Sequence, residues 1–161
     1  MCRFRYRLHS GSPFAILIIT QQKREDRTVQ IRTYETYKEA EIADLYASVG
    51  WTAYTDNLPA LKSGFEKSLL VLAAYEGERL IGILRAVGDG ETIVFVQDLL
   101  VHPAYQRRGV GTALLKRLQE RYASVRQTEL VTDDTQKTAA FYRAAGFRPL
   151  SEFGCCGFLR G

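Results

Sequence analysis

The sequence predicts an α/β domain: a mixed, mostly antiparallel sheet with helices on both faces. Apolar runs of strand length alternate with amphipathic stretches of helical spacing, which is the pattern of a layered α/β fold. Three of the strand runs are joined only by the tight turns Glu76-Gly77 and Gly88-Asp89-Gly90. Turns this short cannot hold a helical crossover, so these strands are expected to be antiparallel neighbours. The chain has 161 residues, 46% of them hydrophobic and 25% charged, which suits one globular domain large enough to build a core without staples.

The elements follow in order. Val29-Gln30-Ile31-Arg32 alternates apolar and polar residues like a short strand. Thr36 and Glu39 have capping-box spacing, and Ile42, Leu45, Tyr46 and Val49 then form a helical stripe that Gly50 ends. Asn57, followed by Pro59, opens a second helix carrying Leu61 and Phe65. Leu69 to Tyr75, Leu80 to Ala86 and Thr92 to Val101 read as strands, with Pro103 ending the last. A helix from Gly109 to Ala123 buries Val110, Ala113, Leu114, Leu118 and Tyr122 on one face. Glu129 to Thr132 is a strand, and Thr138 to Ala145 is a helix that Gly146 stops. The remaining residues are expected to form a terminal pair of short strands, giving the order β-α-α-β-β-β-α-β-α-β-β.

The net charge of +4 lies entirely within residues 1–27, a basic extension to which no function is assigned, and the domain is taken to run over residues 28–161. The body is neutral, so nucleic acid and membrane surfaces are not expected partners. The apolar run Phe14 to Ile19 is short for a signal-peptide core, and no run approaches the roughly 20 residues of a membrane span. Cytoplasmic residence is therefore expected, with organelle import through residues 1–27 as the alternative. The three cysteines are Cys2 and the adjacent Cys155-Cys156, which is neither a disulfide framework nor a metal-ligand spacing. They imply free thiols and no metal.

The chemistry begins with His102-Pro103-Ala104-Tyr105-Gln106-Arg107-Arg108-Gly109-Val110-Gly111-Thr112, where two glycines open a helix. Glycine is poor inside a helix. At a helix start it lets the unpaired backbone N–H groups approach an anion closely, and Arg107 and Arg108 can add charge-assisted bonds. The spacing matches neither the P-loop nor the dinucleotide fingerprint. The competing explanation for both glycines is close helix–sheet packing.

Gln106-Arg107-Arg108-Gly109-Val110-Gly111 resembles the Q/R-x-x-G-x-G/A signature of the GNAT superfamily of N-acetyltransferases. Phe141-Tyr142-Arg143-Ala144-Ala145-Gly146-Phe147 resembles its second signature, F-Y-x-x-x-G-F. The resemblance covers the domain but not residues 1–27. It implies the family fold with splayed central strands and acetyl-CoA as cosubstrate. The pyrophosphate would be held by backbone of Gln106, Arg107, Arg108, Gly109, Val110, Gly111 and Thr112, and the pantetheine would pair beside Leu99, Leu100 and Val101. It also implies Tyr142 as general acid toward the leaving thiolate; the competing reading is a core aromatic. The family's cofactor-contacting Asn is Thr135 here, a weaker hydroxyl contact, and its glutamate base is Leu130, which cannot act. Asp98 is the best replacement base, with a structural acceptor as the competing reading. Gln97 could only orient a water, and Asp133 and Asp134 could attract a cationic acceptor. Trp51 and Tyr54 fall in the loop that lines the family's acceptor pocket, where they would stack on a cationic or aromatic amine or form a lid packed on the core.

The activity implied is transfer of acetyl from acetyl-CoA to a primary amine, foremost a small molecule, by direct attack. The alternatives are acetylation of a protein N-terminus or lysine, and a non-catalytic acyl-CoA-binding module. The terminal segment bearing Cys155-Cys156 lies near the edge at which the family dimerises, so a homodimer is one expected assembly.

Overall fold

The computed structural model describes residues 28–160. The expectations for the basic extension and Cys2 lie outside the described residues. Five strands make one sheet: β1 (Val29–Thr33), β2 (Leu70–Glu76), β3 (Arg79–Gly88), β4 (Ile93–Val101) and β5 (Gln127–Leu130), in sequence order across the sheet. The pairs from β1 to β4 are antiparallel, as the short turns joining β2, β3 and β4 require for the last two of these pairs, and only β4 and β5 run parallel. The helices are α1 (Glu39–Ser48), the single turn α2 (Thr52–Thr55), α3 (Leu58–Glu66), α4 (Val110–Arg121) and α5 (Gln136–Ala144).

Both sheet faces are covered. On one face Val110, Leu114, Leu115 and Leu118 of α4 pack on Leu72, Ala74, Leu84 and Val94, with Phe141 and Tyr142 of α5 at the margin. On the other, Ile42, Leu45 and Tyr46 of α1 and Leu61 and Phe65 of α3 cover Val71, Ala73, Tyr75 and Ile83. Covering both faces buries nearly all of β2, so its run reads as continuously apolar. Each fully buried leucine stabilises the fold by roughly 1.5–3 kcal/mol.

Local signals explain most boundaries. Asn57 Oδ1 accepts from Ala60 N at 3.1 Å and caps α3, as its sequence context predicts. Gly50 and Gly146 end α1 and α5 with left-handed φ values of 79° and 88°. Gly88 must lack a side chain, because a Cβ there would lie 2.2 Å from Ile93 O. Asp89 closes the β3–β4 turn by accepting from Glu91 N, Thr92 N, Ile93 N and the Thr92 hydroxyl.

The structure corrects two expectations. The Thr36–Glu39 capping box does not form: Lys38 precedes α1 without a side-chain cap, and the Tyr34 hydroxyl accepts from Lys38 N instead. The terminal pair of strands is also absent among the described residues. A 3₁₀ turn spans Leu150–Phe153, where Glu152 bridges Arg143 and Arg148, and the chain beyond it stays exposed. Gly154 turns left-handed at φ 70° and breaks the extended path a strand would need.

Candidate active site

Two departures from regular pairing open the site. The β4–β5 ladder covers only Ile93–Val96 against Gln127–Leu130, while β4 continues to Val101. The strands therefore part beyond Val96, which is the splay the fold class implied. At the next residue, on the β3 side, Arg85 pairs with Asp98 and Ala86 with Val96, leaving Gln97 as a bulge. A cleft of about 980 Å³ occupies the gap.

One wall is β4 and the loop into α4. Leu99, Leu100, Val101, Gln106, Arg107, Gly109, Val110, Gly111 and Thr112 all line the cleft. The Gln106 side chain donates to Val101 O at 3.0 Å and ties the loop to the strand. Arg107 has φ 61° and Gly109 φ 80°, with a negative φ at Arg108 between them. Alternating handedness turns successive N–H groups to one side and makes an anion-binding concavity. The N–H groups of the first turn of α4 have no intrahelical acceptor and add the positive end of its dipole.

The two glycines have different causes. A Cβ on Gly109 would meet nothing within 4 Å, so its backbone angle explains it. A Cβ on Gly111 would lie 3.3 Å from Phe141 Cζ, so close approach to α5 explains that glycine. Backbone conformation thus accounts for one of the pair and packing for the other.

On the opposite wall, Tyr142 faces the cleft from α5, with its ring edge-on to Phe141 and Phe147. Burial raises its phenol above the ordinary value, against the opposing effect of the Thr132 hydroxyl. It is therefore a protonated donor at neutral pH. Trp51 lines the cleft as well, stacked on Tyr54 at 5.6 Å.

Four of the residues picked from sequence stand elsewhere. Asp98 is fully buried, accepting from Arg85 Nε and the Tyr46 hydroxyl on Oδ2, and it does not reach the cleft wall. The parity shift at the Gln97 bulge turns it toward α1 and α3, so the expected base is not at the site. Arg108 is ion-paired with Glu76 at 2.6 Å and lies over Tyr105. The Thr135 hydroxyl caps α5 by accepting from Thr138 N. Tyr54 backs Trp51 rather than lining the cleft.

Other residues join the site. Lys137 and Phe141, and Thr138 and Tyr142, are i, i+4 pairs on α5, and all four line the cleft. That spacing was readable around the second signature. Asp133, the one carboxylate on the cleft wall among the described residues, accepts from the Thr132 hydroxyl at 3.1 Å and the Thr138 hydroxyl at 3.2 Å. The Thr132 bond leads in holding its carboxyl below the usual range, so it stays ionised. Among the described residues no cluster of metal-ligating side chains occurs, and no helix is long and apolar enough to cross a membrane.

This combination of a parted parallel strand pair, a glycine-opened helix and a cleft-facing tyrosine defines an acyltransferase of the GNAT type. The family model for the acetyltransferase (GNAT) domain matches residues 67–149, more than half of the chain. A GNAT-family acetyltransferase from Streptococcus pneumoniae is 38% identical, superposes with a TM-score of 0.76, and is covered over 97% of its length by 83% of this chain. The chain belongs to the GNAT family of acetyltransferases. A Glycine max protein named as a histone acetyltransferase is 25% identical over an alignment of 144 residues that covers 81% of this chain but only 62% of that protein. An aminoglycoside N-acetyltransferase solved with CoA shares the fold at 20% identity and a TM-score of 0.62, covering 76% of this chain and 89% of that one.

Proposed function

We propose that the chain transfers acetyl from acetyl-CoA to the primary amine of a small molecule, by direct attack with both substrates bound. The observation that carries this reading is one cleft lined at once by the α4 N-terminus, Tyr142 and Trp51. The left-handed loop at Arg107 and Gly109 and the N–H groups of Val110, Gly111 and Thr112 suit a pyrophosphate. The cleft-facing stretch Leu99 to Val101 has no β5 partner and is free to pair with an extended amide-bearing arm. Arg107 and Lys137 supply the charge near the phosphates.

An alkyl amine has a pKa near 10.4, so only about one molecule in 10³ is neutral at pH 7. Ionised Asp133 attracts the ammonium form, and water oriented by Gln97 relays its proton to solvent. The neutral amine nitrogen bonds to the thioester carbonyl carbon, and the carbon–sulfur bond then breaks. Tyr142 gives its proton to the departing sulfur, and the second proton shed by the acylated nitrogen returns to Tyr142 through solvent. Trp51, backed by Tyr54, presents an aromatic face to the cationic acceptor.

Acetylation of a protein amine is the second reading, favoured by the name of the soybean relative. Thiol release from acetyl-CoA across phenethylamine, spermidine, an aminoglycoside, a lysine peptide and a free N-terminal peptide decides between them. Turnover with a small amine at least about ten-fold above either peptide supports the proposal. Peptide preference moves the assignment to proteins, and CoA binding without any release makes the chain a binding module.

A further inference from the structure

Asp98 is the carboxylate that the chemistry leaves unused. It sits beside the bulge at Gln97, and its side chain is wholly inaccessible. The Tyr46 hydroxyl donates to Oδ2 at 2.8 Å, and Arg85 Nε donates to the same oxygen. Arg85 is itself anchored by the Ser68 hydroxyl at 3.4 Å and lies over the Phe65 ring, so the pair is fixed to α3 and the turn after it. Asp98 Oδ1 is buried with no partner.

A buried ion pair of this kind is a weak source of net stability, because desolvation offsets much of the attraction. What it does supply is a fixed position. Tyr46 is the link: its ring packs against Trp51 at 6.2 Å, Tyr54 at 5.5 Å and Phe65 at 6.2 Å. Its carbonyl also accepts from Trp51 N at 3.0 Å. Trp51 and Tyr54 are themselves more than a third exposed, and Tyr46 is the buried ring that both of them meet.

We infer that Asp98 is a positioning residue: through Tyr46 it holds the Trp51–Tyr54 wall in register with the bulged strand that presents Gln97 to the same cleft. The bond joins the acceptor-side wall to the cofactor strand. The inference rests on the reading that Trp51 faces the acceptor amine.

Trp51 is the chain's single tryptophan, so the emission of the full-length protein reports that wall alone. Asp98→Asn weakens the ion pair and leaves Arg85 buried without its counter-charge, so it tests folding as much as position. Tyr46→Phe removes only the hydroxyl and keeps the ring. In Tyr46→Phe, acrylamide quenching of Trp51 is expected to rise. The KM for phenethylamine is expected to rise about ten-fold, the scale of a lost hydrogen bond to a charged group, with the acetyl-CoA KM unchanged. A second variant, Arg85→Met with Asp98→Leu in the Tyr46→Phe background, replaces the pair and its hydroxyl partner by apolar side chains. It is expected to keep the Tm and show the same quenching and KM split.

Unchanged quenching in both variants overturns the inference. So does a parallel rise of both KM values with a lowered Tm, the mark of a merely structural role. Loss of the acidic limb of the pH–rate profile in Asp98→Asn, with both KM values kept, would restore Asp98 as the base and overturn it too. Quenching needs no turnover. If phenethylamine is not acetylated, that result counts against the acceptor reading alone, and quenching still decides the positioning role.

Discussion

Gly109→Ala separates a backbone requirement from a packing one. Gly109 has φ 80° and ψ 1°, and a Cβ there would meet no atom within 4 Å. Sterics therefore contribute no clash with the rest of the molecule, and the cost is that of a left-handed L-residue, roughly 1–2 kcal/mol. In a domain of this size that lowers Tm by about 3–8 °C if the loop keeps its shape. If the loop relaxes instead, the N–H groups no longer converge, and CoA affinity falls about five- to thirty-fold for the same 1–2 kcal/mol. Asparagine tolerates the left-handed region, so Gly109→Asn should recover part of the loss. Thermal melts and calorimetric titration with CoA read both quantities. If Gly109→Ala matches wild type in both, or Gly109→Asn is as damaged as alanine, the backbone explanation is wrong.

Tyr142→Phe should lower kcat about ten-fold or more, at the low end of general-acid effects, with CoA affinity unchanged; undiminished turnover removes Tyr142 from the chemistry. Tyr34, Tyr46 and Tyr142 are all raised by burial, Tyr34 to about 12. Their stabilisation is complete below pH 10, and the share of Tyr34 is lost as pH rises through about 12, so the urea midpoint should drop across that interval. A flat midpoint there contradicts the burial argument. Asp89 is held far below the usual aspartate range, first by the Thr92 hydroxyl and then by the backbone N–H groups of its turn. Asp89→Ala should lower Tm at neutral pH, and the gap should close as acid protonates the wild-type carboxylate below pH 3.8. A gap independent of pH would assign the effect to the turn backbone alone.

What was legible in the sequence is what neighbouring residues decide. The stripes on α1 and α4, the cap at Asn57 and the stops at Gly50 and Gly146 depend on spacing within a turn or two and stand in the structure, except that on α4 Leu115 is buried and Ala113 is exposed. The loop before α4 belongs to the same class, since the left-handed φ at residue 109 favours glycine and a Cβ at residue 111 would press on Phe141. The last segment misled because Phe153, Phe158 and Leu159 look like strand residues. They are exposed, and no strand among the described residues pairs with them. Strand pattern without a neighbouring ladder carries no structure.

Asp98 shows the other limit. Strict alternation along β4 puts it on the face of Val94 and Val96, where a carboxylate could overlook the parted strands. The bulge at Gln97 shifts the parity by one and sends Asp98 to the face of Leu100, beneath Tyr46. Nothing between residues 93 and 101 encodes that shift, because the partner that makes it tenable is Tyr46, 52 positions away. The donor side proposed for the cleft is therefore readable from one loop, since a pyrophosphate asks for backbone geometry that a few glycines betray. The acceptor side proposed for it rests on contacts between α1 and β4 that no local spacing records. Chains sharing both signatures can accordingly differ in acceptor without any change in the loop that binds the donor, and the residues to compare are those at 46, 51, 54, 97 and 98.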